Sequence, residues 1–277
     1  MTTSMEIEVG GRRIHVGTSG ERGPAVVLVH ASGMAGRQFR ALIEQLAPDH
    51  RVFAPDLVGY GRNEVWQEDP LRSGSDRGGF DPREDEDIVC AVAAVAGPEV
   101  SLVGHSYGGW LALRAAARVH PRALVLFEPV AFGVLHTPPD PALADLAALD
   151  AAGDFFSPTL IGTAPWCERF VDWWGGVGTW ARMGPVMQGM FVQRAVKTFH
   201  EVYAVSSDRT PLAAYPRGPR ALLLHGSETR RAAARVATLL AEHLGGRLEV
   251  FAGAGHMAPL THADEFATRV AAFLRAA

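Results

Sequence analysis

A series of short strand-like runs, separated by helix-length stretches, most constrains what this chain can fold into. Ala25-Val26-Val27-Leu28-Val29-His30 is apolar up to its last residue, as a strand covered on both faces requires. Arg51 to Pro55, Val100 to Val103, Ala123 to Phe127, Ala221 to His225 and Arg247 to Phe251 read as further strands. Between the first two runs, Phe39, Leu42, Ile43 and Leu46 fall at helical spacing before Pro48. From about Arg83 to Ala96, Ile88, Val89, Val92 and Val95 share one side, and Gly97-Pro98 is the stop. Strand, helix and strand in alternation predict an α/β protein, a mostly parallel twisted sheet with helices on both faces. At the amino end, Glu6 to Val9 and Arg12 to Val16 flank Gly10-Gly11 and predict a hairpin at the sheet edge.

The run ending at Val103 continues as Gly104-His105-Ser106-Tyr107-Gly108-Gly109 and then an Ala/Leu-rich helical segment to Val119. This is G-x-S-x-G in a strand, sharp turn and helix. Such a turn needs neighbours without a Cβ, because the strand and the helix pass close together there. The turn lifts the Ser106 hydroxyl clear of the sheet, which marks it as a nucleophile. It also puts the Tyr107 N–H at a helix N-terminus, where partial positive charge can meet a developing oxyanion.

Apolar residues at 48% and charged residues at 20% fit a globular protein. A net charge of -4 gives no basic surface for nucleic acid or for a membrane. Cys90 and Cys167 read as free thiols in a reducing compartment rather than a disulfide framework. No amino-terminal signal pattern and no run of membrane-span length occur, so a cytoplasmic protein is expected. The acidic run Glu84 to Asp87 reads as a solvated helix start that suits the helix dipole, not as a metal site. Residues 64 to 82 have no period and read as a long exposed loop. Arg230, Arg231 and Arg235 read as a solvated helix face.

Residues 130 to 219 break the alternation. They hold Trp166, Trp173, Trp174 and Trp180, with Met183, Met187 and Met190, and read as helices lying over the sheet's carboxyl edge. The chain is thus expected to divide into a core of 1–129 and 220–277 and a helical cap of 130–219 inserted after the sixth strand. Many of the aromatics must serve the cap's own core.

The chain resembles the α/β-hydrolase fold family over essentially its whole length. The resemblance rests on the strand ending in His30-Ala31-Ser32-Gly33, the Asp56 to Gly61 loop, the Gly104 to Gly108 elbow, the insertion after the next strand, and Gly255-His256 near the end. Ala31 departs from the pattern, standing where glycine is common. The resemblance implies the order serine, acid, histidine, with His256 as the base for Ser106. His30 is expected to be structural, His105 to accompany the elbow, and His225 and His262 to be satisfied elsewhere.

The acid is less directly given. The family's usual aspartate position appears as Thr229 here, and the resemblance to members with a glutamate after the preceding strand implies Glu128. Glu228, beside the usual position, is the runner-up. A glutamate between Phe127 and Pro129 on an apolar strand needs a partner if buried, and a His256 imidazolium supplies one. The oxyanion is assigned to the N–H groups of Ser32, acting through its backbone, and Tyr107.

A serine at 106 argues against the carboxylate-nucleophile chemistries of this family. The expected activity is a carboxylic-ester hydrolase for small or medium apolar substrates, acting through an acyl-enzyme. The alternatives are carbon-carbon bond or lactone hydrolysis with the same triad, or a non-catalytic ligand-binding protein of the same fold. No cofactor is expected, since no G-x-G-x-x-G follows a strand. The expected partner is a small-molecule apolar ester or related acyl substrate, with neither nucleic acid nor membrane expected.

Overall fold

In the computed structural model, residues 3–68 and 79–276 are described. Most of the expected 64 to 82 loop, residues 69–78, lies outside them. The strands are β1 (Thr3–Val9), β2 (Arg12–Ser19), β3 (Ala25–Val29), β4 (Arg51–Pro55), β5 (Ser101–His105), β6 (Ala123–Phe127), β7 (Arg220–Gly226) and β8 (Arg247–Phe251). They form one sheet in the order β1-β2-β4-β3-β5-β6-β7-β8. The β1/β2 hairpin and the β2/β4 pair are antiparallel, and all other pairs are parallel. Gly10 and Gly11 both have positive φ, at 57° and 76°, as the tight turn between β1 and β2 requires.

The core helices are α1 (Arg40–Leu46), α2 (Pro82–Ala96) and α3 (Tyr107–Val119). Four more, α4 (Leu143–Leu149), α5 (Ala164–Gly175), α6 (Thr179–Val192) and α7 (Ala195–Ser207), fall between β6 and β7. The chain ends with α8 (Arg231–Leu244), α9 (Ala258–Thr261) and α10 (Ala263–Arg275). Alternation along each strand decides which face is served. Val27, Leu102, Leu124 and Leu223 pack with α2, α3 and α8, while Val26, Leu28, Val103, Phe127 and Leu224 pack with α1 and α10. Burial on both faces explains why β3, β5 and β6 are buried throughout.

Strand order reverses between β3 and β5: β4 lies on one side of β3, and the chain then crosses back to place β5 on the other. In open parallel sheets the crevice beyond the carboxyl ends of strands at such a reversal is where ligands bind. The loops after β3 and β5 therefore meet at the place where the sequence puts Ser32 and Ser106.

Several expectations need correction. Trp66 and Phe80, in the stretch read as an exposed loop, are buried and pack edge to face, because their rings find His200 of α7. The acidic start of α2 is not simply solvated. Asp85 and Glu86 are buried, Glu86 against Arg114 and Asp85 against Lys197. Arg230 and Arg235 are half-buried and reach the segment between β6 and β7, at Trp173 and Asp140, leaving only Arg231 of the three exposed. Cys90 is half-buried. Among the described residues, no helix is long and apolar enough to cross a membrane, and no three His, Cys, Asp or Glu side chains group as metal ligands.

Candidate active site

The elbow is built by close approach. A Cβ at Gly104 would lie 2.4 Å from the Gly108 carbonyl oxygen, and one at Gly108 would lie 2.2 Å from that of Val29. Neither position accepts any other residue without moving backbone. Ser106 sits at φ 55°, ψ -120°, a conformation that L residues seldom adopt. Hydrogen bonds on both sides hold it: Ser106 N–H donates to the Phe127 carbonyl at 3.0 Å, and its own carbonyl accepts from Trp110 N–H at 3.0 Å.

Three residues from three loops converge here. His256 Nε2 lies 2.9 Å from Ser106 Oγ, and His256 Nδ1 lies 2.6 Å from Glu128 Oε2. Glu128 is fully buried and follows β6 at a positive φ of 44°, which turns its carboxylate toward the β7 end. Its Oε1 accepts from Gly226 N–H at 2.8 Å, and Oε2 also accepts from Thr229 Oγ1 at 2.6 Å. Thr229, at the position where the family's aspartate was sought, thus donates to the carboxylate from the neighbouring strand. Glu228 is exposed, with its backbone N–H on the Ala254 carbonyl. Because a carboxylate is an acceptor only, Nδ1 carries the proton and Nε2 is left to accept from the serine hydroxyl.

Ser32, on the loop after β3, and Tyr107, in the first turn of α3, line one cavity together with Ser106. Among the described residues neither amide donates to another protein group. His30 and His105 are structural, as expected. His30 Nδ1 donates to the Ala31 carbonyl at 2.8 Å and Nε2 accepts from Leu57 N–H at 3.0 Å. His105 accepts from Gln38 Nε2 at 2.8 Å and donates from Nε2 to the His256 carbonyl at 2.9 Å. Gln38 Oε1 accepts in turn from Ala31 N–H at 3.1 Å, so one buried chain of bonds ties the Ser32 loop to the His256 loop. Gln38 was not singled out from sequence; a polar residue beside Phe39 at a helix start carries no distinctive signal.

Burial lowers the His30 pKa to about 4, and it lowers that of His105 well below the ordinary value. Both are neutral in the fold, and the unfolded chain binds their protons first as pH falls. Stability is therefore fully present above about pH 6.5 and is lost as pH falls toward 4. The His30 share alone should make unfolding about 2 kcal/mol easier at pH 5 than at pH 7. Denaturant titrations at the two pH values check this, and His30→Gln should shrink the difference by about the His30 share, leaving that of His105.

The inserted helices cover the serine. Val130, Phe132, Leu149, Phe170, Trp174 and Val202 line a cavity above Ser106, and Ser32, Tyr107 and Ser206 also border it. Its volume is about 20 Å³, room for roughly one water. Trp174 closes it, lying flat on the His256 imidazole with ring centres 3.5 Å apart and planes 14° from parallel. The four tryptophans divide by role. Trp166 and Trp180 fill the insertion's own core, whereas Trp173 and Trp174 line the cavity. Arg230 donates to the Trp173 carbonyl at the end of α5 and lies over its ring, fixing the pair from the β7 side. Gly176 and Gly178, both at positive φ, then end α5 and open α6.

Burial pushes the thiols of Cys90 and Cys167 up to about 11 and about 12, so neither is a nucleophile here.

Residues 26–269 match the Alpha/beta hydrolase family. A 2-hydroxymuconate semialdehyde hydrolase of Pseudomonas putida is 28% identical over 288 aligned positions, covering 97% of this chain and 93% of that protein. A pimeloyl-[acyl-carrier protein] methyl ester esterase of Xylella fastidiosa is 38% identical over 95 residues, and the match spans only 32% of its length. Among solved structures, an esterase from Exiguobacterium antarcticum superposes with a TM-score of 0.69 at 20% identity, over 99% of this chain and 100% of that one. At that identity the likeness is one of fold. The sheet order, the elbow at the strand reversal and the family match over 26–269 lead to one conclusion: the chain belongs to the alpha/beta hydrolase family.

Proposed function

We propose that the protein is a serine hydrolase that cleaves carboxylic esters of small or medium apolar substrates through an acyl-enzyme on Ser106. The observation that carries this reading is the unbroken line of short contacts from Ser106 Oγ through His256 to Glu128 beneath an apolar cavity. In the proposed mechanism Ser106 Oγ attacks the ester carbonyl while His256 Nε2 takes the hydroxyl proton. Glu128 holds the Nδ1–H and stabilises the imidazolium. The tetrahedral oxyanion lies between the Ser32 and Tyr107 amides, each such donor contributing roughly 3 kcal/mol to the transition state. His256 returns the proton to the leaving alkoxide, and water attacks the acyl-enzyme by the same route in reverse.

Residues 130–219 act as a cap over a core of 1–129 and 220–277, and its lining sets the acyl group accepted. Among the described residues the lining holds no charged side chain, which favours a neutral acyl group over an anionic one. Two unpaired cysteines fit a reducing, cytoplasmic setting. Carbon-carbon bond hydrolysis is the second reading, favoured by the likeness to the hydroxymuconate semialdehyde hydrolase over nearly the whole chain.

An organophosphate should label Ser106 alone, read by peptide mass, and Ser106→Ala should not be labelled. An absence of label would sink the serine-hydrolase reading in favour of a ligand-binding protein. A panel of esters graded by acyl length, with a lactone and a diketone, then separates the catalytic readings. Trp174→Ala opens the cavity, so it should raise kcat/KM for long-chain over short-chain esters by about tenfold or more, since each methylene in an apolar pocket is worth about 1–3 kcal/mol. An unchanged chain-length profile would take Trp174 out of the acyl site.

A further inference from the structure

Ser32 and Tyr107, which line the cavity with Ser106, both direct their side chains to one buried ion cluster. Lys197 of α7 donates to Asp85 Oδ2 and to Glu201 Oε1, each at 2.7 Å. Lys197, Asp85 and Glu201 are 3%, 1% and 0% exposed. The Tyr107 phenol donates to Asp85 Oδ2 at 3.0 Å, and the Ser32 side chain lies beside Glu201. The Tyr60 phenol donates to Glu201 Oε2 at 2.8 Å, and Val58 N–H reaches Asp85 Oδ1 at 3.3 Å. One ammonium and two carboxylates are therefore buried among groups from the loops after β3 and β4, from the elbow, and from the insertion.

Stability alone is a poor reason for such a cluster. Desolvating each ion costs several kcal/mol, and well-packed apolar side chains of similar volume often serve a fold as well or better. What apolar side chains cannot supply is direction. An ionic acceptor fixes where a hydroxyl points, and so fixes the peptide that carries it. Ser32 lies in an irregular turn beside Gly33, whose φ is 74°, and Gln38 already holds the turn at Ala31. The Glu201 side chain lies on its other side. Burial keeps both phenols well above their ordinary pKa, so they remain neutral donors. Lys197, between the carboxylates, offsets negative charge that would otherwise repel an oxyanion nearby.

We infer that Glu201, Asp85 and Lys197 are positioning residues that fix the Ser32 and Tyr107 amides as an oxyanion hole, so that helix α7 of the insertion takes part in assembling the hole. This inference rests on the serine-hydrolase reading. It also makes the Ser32 side chain matter, where sequence reasoning gave the residue a backbone role only.

The test is a double-mutant cycle of Ser32→Ala and Glu201→Gln, with Tyr107→Phe as a variant that removes a single oxygen and keeps the fold. Ester kcat and KM are measured, together with binding of an alkylboronic acid, which forms a tetrahedral adduct on Ser106. Each single change should lower kcat about tenfold with KM held within about twofold, and should weaken the boronate in parallel. The double mutant should lose no more than the worse single, because both changes remove one contact. Losses that multiply in the double mutant, or a kcat loss with boronate affinity unchanged, would overturn the inference. So would Tyr107→Phe with wild-type kcat and boronate affinity. Wild-type protein that forms no boronate adduct would instead strike at the serine-hydrolase reading itself.

Discussion

Ser106→Ala and His256→Ala should each lower ester turnover by about a millionfold, and the double substitution should lower it little further, because nucleophile and base are expected to act as a unit. The reason lies in how Ser106 Oγ and His256 Nε2 share one proton at 2.9 Å. Without the imidazole the hydroxyl is a poor nucleophile, and without the hydroxyl the imidazole has nothing to activate. Ser106→Ala keeps the Cβ, so the backbone strain at φ 55° is retained and thermal unfolding should hardly move. Ser106→Gly removes that strain and should be equally inactive yet about 1 kcal/mol more stable. Turnover on one ester and unfolding curves for the three variants check both parts. Near wild-type turnover in a folded Ser106→Ala protein would end the assignment.

Sheet and elbow were legible in the chain because both rest on local rules. Buried parallel strands demand continuous apolar runs, and the elbow demands glycine at 104 and 108, where any Cβ would meet backbone. Glu128 was legible for a related reason, since a carboxylate at the end of an apolar strand must have a partner. Side chains whose meaning depends on a distant element were not legible. Asp85 and Lys197 are 112 positions apart in sequence, and only the docking of α7 beside the elbow turns a helix-start aspartate into half of a buried pair. Arg230 reads as one of three surface arginines until the end of α5 lies under its guanidinium. Trp66 is the same case, its burial supplied by His200. Trp174 could be placed in the insertion but not on His256, because helical periodicity gives a face and not what that face meets.

Glu128→Gln is expected to cut turnover by about ten-thousandfold, by analogy with an amide in the acid position of a serine triad. The surrounding bonds explain why an isosteric change is so damaging. Glu128 accepts from three donors: Gly226 N–H on Oε1, and Thr229 Oγ1 and His256 Nδ1 on Oε2. A glutamine has one acceptor oxygen and one donor group. If its oxygen faces His256, its NH₂ is pressed against the Gly226 N–H, and a buried donor is left unpaired at a cost of about 1–3 kcal/mol. If the NH₂ faces His256 instead, it donates to Nδ1 and drives the ring proton to Nε2, the atom that must accept from Ser106. Either orientation disables the pair, one through a distorted and weakened loop, the other through the wrong tautomer. Glu228→Gln should stay within about threefold of wild type, because its exposed carboxylate acts only through screened charge. Both variants are assayed on the same ester, with circular dichroism to confirm folding. The reverse ranking would move the acid to Glu228, and a small loss in both would leave Ser106 and His256 working as a dyad.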